Sequence, residues 1–229
     1  MSSNSLSTFI SRLFIRPKKE AIPTMPWSAD DPFERRPKPA TMFVLIFGLT
    51  IFGLGDAVIV SAVWGVTPWT VLAMGLAEQL GTTIGKATFL VSIIVLALWI
   101  PLREKPGIGT LLNIIIIAAM IDIALPHLPT PTSTFASLLT VIAGTALIAI
   151  GSGFYLTANL GPGPRDGWMT GLHRKTGLSI GMVRTVIECT ALLLGWILGG
   201  DVWFGTLVFA FTIGPMVSGV LWVLSKKKV

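Results

Sequence analysis

The sequence has few of the side chains on which enzymes and small secreted domains depend. Cysteine occurs once, as Cys189 within an apolar run, which excludes a disulfide framework and a cysteine-based metal site. Histidine occurs twice, at His127 and His173, without the spacing of metal ligands. No nucleophile–base set, metal cluster or cofactor motif is visible, so we expect neither an enzyme nor a bound cofactor.

Charged residues are also scarce, at 12% of the chain against roughly a quarter in soluble domains. A soluble fold of 229 residues needs a polar shell, and these residues are too few to form one. Lipid is the solvent that accepts such a surface. The 17 basic residues exceed the 11 acidic ones, and they lie at the ends of apolar segments. This placement favours control of membrane topology over nucleic-acid binding.

Residues 1–40 differ in composition from the rest of the chain, because they contain seven basic residues and six prolines. Such a stretch cannot bury a core, so we predict a cytoplasmic, largely disordered basic tail. Its apolar residues between 6 and 14 have near-helical spacing, with Arg12 close by. A short amphipathic helix on an anionic leaflet is therefore an alternative for that part. Residues 41–229 form a single predicted transmembrane domain.

Six segments are long and apolar enough to cross a bilayer, which requires roughly 20 residues. They are 41–63, 84–102, 108–125, 135–159, 179–199 and 203–224. The pieces 68–80 and 164–176 are too short and too polar to span. If the amino terminus is cytoplasmic, six spans place all the basic loop residues on the cytoplasmic side of the membrane. The outer side then has none. This asymmetry predicts that both termini are cytoplasmic.

The chain aligns with itself at an offset of 96 residues without a gap, with 19 identities over the 84 positions 41–124. Apolar composition alone would give identical residues at roughly a tenth of the positions. The identical pairs include Gly48/Gly144, Gly55/Gly151, Gly65/Gly161, Pro68/Pro164, Gly81/Gly177, Gly85/Gly181 and Gly109/Gly205. We therefore predict two repeats, 41–125 and 135–224, each with a short broken or re-entrant helix. Three spans are an odd number, so the repeats insert in opposite orientations.

Inverted repeats with broken helices are a recurrent plan of transporters, whose site lies near the midplane. A duplicated scaffold without a substrate is the alternative. Ionisable residues at membrane depth are candidates for such a site, because they pair, face the interior or line a cavity. Those at or near that depth are Asp56, Lys86, Asp122, Arg184 and Glu188. Arg184 and Glu188 are four residues apart and can form either a structural ion pair or a substrate or proton relay.

The run Gly161–Gly167 is the most unusual in the chain. Pro164 indicates a helix start, where free N–H groups and the adjacent Arg165 favour an anion. Asp166 in the first turn could instead cap those groups, which would make the run a tight turn only. His173 is a weak candidate for a proton relay. Asn113 is either a hydrogen-bond partner between helices or a cavity-lining group.

These residues carry a resemblance to a known family. Gly161-Pro-Gly-Pro-Arg-Asp-Gly167, then Met169-Thr-Gly-Leu-His-Arg174, Arg184, Glu188 and Gly195-Trp196 resemble the YczE-like integral membrane proteins of bacteria, relatives of the YitT-like group. The resemblance covers about residues 41–220. It implies a small bacterial inner-membrane protein, and it carries no settled biochemical activity.

The sequence thus predicts an all-α, polytopic, transporter-like membrane protein that moves a small anionic or amphiphilic solute. The alternatives are a non-transporting accessory or regulatory protein of an enzyme system, and a flippase for a lipid-linked substrate. The predicted substrate-binding residues are Asp56, Asn113, Asp122, Arg165, Asp166, His173, Arg184 and Glu188. The expected partners are the lipid bilayer and the solute or lipid-linked substrate, without nucleic acid, and a homodimer remains open.

Overall fold

In a computed structural model of the chain, residues 22–226 are described, and that part contains eight α-helices and no β-strand. The helices are α1 (Pro39–Ser61), α2 (Pro68–Leu80), α3 (Ile84–Ala97), α4 (Ile108–Ala124), α5 (Thr134–Ala158), α6 (Pro164–Thr176), α7 (Ile180–Ile197) and α8 (Phe204–Lys226). Short 3-10 turns follow α3 at Ile100–Leu102 and α4 at Leu125–His127.

Six of these helices are long and apolar enough to cross a membrane: α1, α5, α7 and α8, together with α3 and α4 extended by their 3-10 turns. Their mean hydropathies lie between 1.6 and 2.3. The prediction of an all-helical membrane protein with six candidate spans is confirmed. Helices α2 and α6 have 13 residues each and measure about 20 Å, which is short of a bilayer core of about 30 Å.

Local sequence explains where the two short helices begin and end. Each begins with a proline at its first turn, where the missing N–H costs no hydrogen bond. Thr67 caps α2, because its hydroxyl accepts a hydrogen bond from the Thr70 backbone N–H at 3.2 Å. Both helices end at a glycine in the left-handed conformation, Gly81 with φ 60° and Gly177 with φ 74°.

The breaks before the two short helices are held by the amino ends of other helices. Gly65 and Gly161 have φ values of 102° and 104°, a conformation that side chains other than glycine rarely adopt. Beside the first break, the Gly205 N–H of α8 donates to the Trp64 carbonyl at 2.7 Å. Beside the second, the Gly109 N–H of α4 donates to the carbonyl of residue 160, also at 2.7 Å.

The centre of the fold is the crossing of α1 and α5, which glycines bring into backbone contact. A Cβ at Gly48 would lie 2.7 Å from the backbone nitrogen of Tyr155, and one at Gly151 would lie 2.5 Å from the Gly48 carbonyl oxygen. A Cβ at Gly55 would meet the Gly144 carbonyl oxygen at 2.7 Å. Small residues permit such approach between membrane helices, where packing rather than water exclusion drives association.

The third and fourth helices touch, whereas α7 and α8 are separated. A Cβ at Gly85 of α3 would lie 2.3 Å from the Ala118 carbonyl oxygen of α4. A Cβ at Gly181 of α7 or Gly214 of α8 would meet no heavy atom within 4 Å in the described part of the chain. Helix α7 packs instead on α2, where a Cβ at Gly195 would lie 2.4 Å from the backbone nitrogen of residue 72.

Residues 22–38 lie against the end of α5. The Ala29 N–H donates to the Ala158 carbonyl at 3.0 Å, and the Asn159 side-chain amide donates to the Ala29 carbonyl at 2.8 Å. The sequence did not predict this docking of 22–38, and residues 1–21 of the predicted tail lie outside the described range. The physical cause of the docking is that the last carbonyls of a helix need donors from outside the helix, which the tail supplies. The alternative amphipathic helix between residues 6 and 14 lies outside the described residues.

Candidate functional site

A cavity of about 230 Å³ lies between the helices, and all eight described helices contribute to its wall. The amino ends of α2 and α6 point into it. Its wall includes Phe52, Asp56, Pro68, Trp69, Thr88, Ser92, Asn113, Ile117, Ile148, Ser152, Tyr155, Pro164, Arg165, Asp166, Met169, Arg184, Ile187, Glu188, Phe209, Ile213 and Val217. Sites for drug-sized molecules occupy about 300 to 1,000 Å³, so this volume suits a smaller solute.

One of the two cationic side chains in the cavity wall is Arg165, in the first turn of α6. Its guanidinium carbon lies 4.8 Å from the centroid of the Trp69 ring, a cation–π geometry. Within residues 22–226 it makes neither a hydrogen bond nor an ion pair. Removal from water lowers the pKa of Arg165, and the nearby carboxylates of Asp56 and Asp166 oppose that shift. An arginine retains its charge in such surroundings.

The carboxylate of Asp56, on α1, is 1% exposed and only partly hydrogen-bonded. Its Oδ1 accepts a long hydrogen bond of 3.4 Å from the Thr70 hydroxyl. Its Oδ2 has no partner among the described residues, and neither does the hydroxyl of Thr88, which lines the same cavity from α3. A buried polar group without a partner costs free energy, so these atoms are suited to a ligand or water in the cavity.

Tyr155 joins α5 to the start of α6. Its hydroxyl donates to Asp166 Oδ2 at 2.8 Å and accepts from the Gly163 N–H at 2.9 Å. Gly163 is the N-cap residue of α6 and has no side chain to cap the helix. The tyrosine hydroxyl therefore serves as the cap, and Asp166 orients that hydroxyl.

Arg184 and Glu188 form an ion pair on α7, with Arg184 Nε 2.9 Å from Glu188 Oε1. The pair lies at the side of the cavity where α7 and α8 are separated. Its side chains are 53% and 36% exposed. The wall of the cavity is therefore incomplete along this side of the molecule.

Comparisons with known proteins identify the family of the chain. Residues 39–221 match the family described as "Family of unknown function (DUF6198)". An "Uncharacterized membrane protein YczE" from Bacillus subtilis is 32% identical over 176 residues, which cover 76% of this chain and 79% of that protein. The chain belongs to this YczE-like membrane family.

Two further relatives extend the match. An "Uncharacterized protein" from Haemophilus influenzae is 41% identical over 212 residues, 93% of this chain and 96% of that protein. An "Uncharacterized protein YyaS" from Bacillus subtilis is 27% identical over 165 residues, 70% and 82% of the two chains. No solved structure matches significantly. The resemblance to the YczE-like family is confirmed.

In this YczE-like protein, the structure brings together six of the eight side chains predicted to bind substrate. They are Asp56, Asn113, Arg165, Asp166, Arg184 and Glu188, and all of them line the cavity. Their convergence follows from the two breaks in the chain, which turn the amino ends of α2 and α6 toward the spans. Binding by these residues remains a prediction.

The structure places the other two predicted residues outside the cavity. Asp122 accepts hydrogen bonds from the Gly85 N–H at 2.8 Å and the Thr83 hydroxyl at 2.6 Å, so it caps the amino end of α3. His173 lies in the last turn of α6, where its Nδ1 is within hydrogen-bonding distance of the Leu178 carbonyl. In the described range 22–226, no three His, Cys, Asp or Glu side chains are grouped to hold a metal ion.

Several polar or aromatic residues of the wall were not predicted. They are Trp69, Thr88, Ser92, Ser152 and Tyr155. The internal offset could have found four of them, since it aligns Trp69, Thr88 and Ser92 with Arg165, Arg184 and Glu188, and Ser152 with Asp56. Tyr155 is the single tyrosine of the chain and lies within an apolar span, which is also a signal.

Proposed function

We propose that this protein moves a small anionic or amphiphilic solute across the bacterial inner membrane, with both termini in the cytoplasm. Two inverted three-span repeats would enclose the solute in the central cavity. The proposal includes no catalytic step. One observation carries it: the cavity is lined by residues from equivalent positions of the two predicted repeats.

Nine pairs of wall residues are separated by the 96-residue offset. They are Phe52/Ile148, Asp56/Ser152, Thr67/Gly163, Pro68/Pro164, Trp69/Arg165, Thr88/Arg184, Ser92/Glu188, Asn113/Phe209 and Ile117/Ile213. Equivalent residues of two repeats line the same cavity when the repeats are related by a two-fold axis that passes between them. The pairing therefore supports a shared site where the repeats meet, as in transporters built from inverted repeats.

Contacts between the repeats also occur in exchanged pairs. The offset makes Gly48 equivalent to Gly144, and Gly151 equivalent to Gly55. The close approach of Gly48 to Gly151 therefore has an equivalent in the close approach of Gly144 to Gly55. The hydrogen bond from Gly109 to the residue 160 carbonyl likewise becomes the one from Gly205 to the residue 64 carbonyl, each at 2.7 Å. Exchange of this kind supports a two-fold relation between the repeats.

The chemistry of the wall supports an anionic group on the solute. Arg165 has a charge without an ion-pair partner in the described part of the chain. It lies in the first turn of α6, whose amino end carries partial positive charge. Phe52, Ile117 and Ile213 provide an apolar surface in the same cavity, which suits an amphiphilic solute.

A flippase for a lipid-linked substrate is the second candidate, and the incomplete wall between α7 and α8 favours it. The side chains of Arg184 and Glu188 are 53% and 36% exposed on this side. Their equivalents Thr88 and Ser92 are buried, on a helix that packs against α4. A lateral opening of this kind would admit a polar headgroup while its lipid tail stays in the bilayer.

Labelling from both sides of the membrane tests transport without knowledge of the solute. A Ser152→Cys variant in a Cys189→Ser background places one thiol in the cavity wall. A membrane-impermeant methanethiosulfonate reagent is applied to right-side-out and inside-out vesicles. We expect labelling in both orientations, because a transporter exposes its site to each side in turn. Thr145→Cys is the matched control on the same helix, since Thr145 is 0% exposed and should label in neither.

Labelling of Ser152→Cys in a single orientation would contradict transport and would favour the accessory role. The flippase candidate is tested separately, by the transfer of a fluorescent phospholipid between the leaflets of reconstituted vesicles. Transfer that disappears in Arg165→Gln would favour the flippase. Two-sided labelling without lipid transfer would favour a soluble solute.

A further inference from the structure

Five charged side chains line the cavity, and three of them have a partner at 2.9 Å or less within the described chain. Arg184 and Glu188 pair with each other at 2.9 Å. Asp166 accepts the hydrogen bond of the Tyr155 hydroxyl at 2.8 Å. The two groups that remain are Arg165 and Asp56, one of each sign.

These two groups line the same cavity and form no ion pair with each other. The Arg165 guanidinium lies over the Trp69 ring, with 4.8 Å between its carbon and the ring centroid. The Asp56 carboxylate is held by Thr70, the residue that follows Trp69 on α2. The structure contains no ion pair between Asp56 and Arg165. Two opposite charges are thus held apart in one cavity, each with hydrogen-bonding capacity to spare.

The wall of the cavity provides a second buried acceptor for a donor group. Asp56 Oδ2 is without a hydrogen-bond partner in the part of the chain that is described, and so is the Thr88 hydroxyl. Asp56 and Thr88 are 1% and 5% exposed, so neither loses this capacity to bulk water. A purely anionic ligand would satisfy Arg165 and leave Asp56 both unpaired and close to a like charge. That arrangement is unfavourable in a site of low dielectric.

We infer that the ligand of this cavity is a small zwitterion, whose carboxylate or phosphate contacts Arg165 and whose ammonium contacts Asp56 and Thr88. As a statement about a transported substrate, this inference rests on the proposed function. The two charges of the protein cancel against the two charges of the ligand, so the loaded cavity gains no net charge. A volume of about 230 Å³ accommodates an amino-acid-sized molecule or the headgroup of a phospholipid.

Isothermal titration calorimetry on the purified full-length protein tests the inference with two series of matched probes. The first compares γ-aminobutyrate with butyrate and butylamine, and the second compares phosphoethanolamine with ethyl phosphate and ethanolamine. We expect the zwitterion of at least one series to bind at least tenfold more tightly than both of its singly charged analogues. If neither series shows that preference, the inference is overturned, and this result depends on the unmodified protein alone.

Two variants then assign the charges of the ligand. Asp56→Asn should reduce the preference for the zwitterion over the matched anion to less than threefold. Arg165→Gln should reduce the preference for the zwitterion over the matched amine to less than threefold. Glu78→Gln is the control, because Glu78 is an exposed carboxylate of α2 outside the cavity wall. A folded Asp56→Asn variant that keeps the full preference would contradict the assignment of the ammonium to Asp56.

The source of the zwitterion is separated by a further probe. Short-chain phosphatidylethanolamine in bicelles should bind at least tenfold more tightly than phosphoethanolamine if the ligand is a lipid headgroup, and no more tightly if it is a free solute. The outcome is also independent of transport. Zwitterion preference with one-sided labelling of Ser152→Cys would retain the inference and reject the proposed function. Two-sided labelling without the preference would reject the inference alone.

Discussion

At the scale of single residues, the cavity contains two kinds of polar side chain that respond differently to substitution. Arg165 contacts Trp69 through its cation–π geometry and has no hydrogen-bond partner in the described structure. Tyr155 accepts one hydrogen bond and donates another, both within the protein. A residue of the first kind is available to a ligand, whereas a residue of the second kind holds the fold.

Arg165→Ala is therefore expected to abolish ligand binding while the protein still inserts and purifies normally. Arg165 makes no ion pair in the described structure, so this variant breaks no direct pair of buried charges. Calorimetry with the tightest-binding probe and a thermal unfolding scan measure the two effects. Arg174→Ala is the control, since Arg174 pairs with Glu104 at the surface. A marked fall in the melting temperature with unchanged binding would assign Arg165 a structural role.

Tyr155→Phe should instead lower stability, because it leaves the Gly163 N–H without its acceptor at a buried helix start. The expected loss is about 1 to 3 kcal/mol, the usual cost of an unsatisfied buried group. Thermal unfolding in detergent provides the measurement. Asp166→Asn should cost less, because its amide oxygen still accepts from the tyrosine hydroxyl. Equal stability of Tyr155→Phe and the unmodified protein would show that another group caps α6.

At the scale of helices, the glycine contacts between α1 and α5 set the distance between the two spans. In Gly55→Ala, the added Cβ would lie 2.7 Å from the Gly144 carbonyl oxygen and 2.8 Å from the Ile148 backbone nitrogen. The spans must then move apart, so we expect lower expression and a lower melting temperature. Gly219→Ala on α8 is the matched control, since no heavy atom of the described structure lies within 4 Å of its Cβ.

The control should be neutral or slightly stabilising, because alanine is favoured over glycine in a helix interior by about 0.5 to 1 kcal/mol. Size-exclusion profiles and thermal unfolding of the two variants, compared side by side, measure the difference. Equal behaviour of Gly55→Ala and Gly219→Ala would mean that the close crossing is not needed for folding.

The helices were predictable from sequence because hydropathy and the start and stop residues act locally. The predicted span 84–102 has the same bounds as the candidate span Ile84–Leu102. The docking of Ala29 on the Ala158 carbonyl was not predictable, because it depends on a contact between residues far apart in the chain. The role of Asp122 at the amino end of α3 was not predictable for the same reason. Its distance from Gly85 along the chain hides that the two residues are neighbours in space.

At the scale of the whole molecule, the orientation in the membrane is a prediction of the basic residues. In a Cys189→Ser background, Lys226→Cys should react with an impermeant thiol reagent from the cytoplasmic side only. Pro131→Cys, in the connection between α4 and α5, should react from the outside only. Labelling of intact cells and of inverted vesicles measures both variants. External labelling at position 226 would exclude cytoplasmic termini.

If the two predicted repeats move a solute, the difference between them predicts how the molecule would change. In a pair of inverted repeats, the opposite state arises when each repeat adopts the conformation of the other. Gly85 and Ala118 are in contact across α3 and α4, and their equivalents Gly181 and Gly214 are apart across α7 and α8. The opposite state should therefore bring Gly181 and Gly214 together.

Disulfide trapping tests this exchange in native membranes. In a Cys189→Ser background, the pair Gly181→Cys and Gly214→Cys should form an intramolecular disulfide in part of the population, because conformational exchange brings α7 onto α8. The pair Gly181→Cys and Gly219→Cys is the control and should form none, since the equivalent of Gly219 is Ile123, which is 60% exposed. Disulfides between two chains would show instead that a second copy covers the gap, as a homodimer requires. No disulfide of either kind, with or without a bound probe, would mean that α7 and α8 stay apart and that the repeats do not exchange conformations.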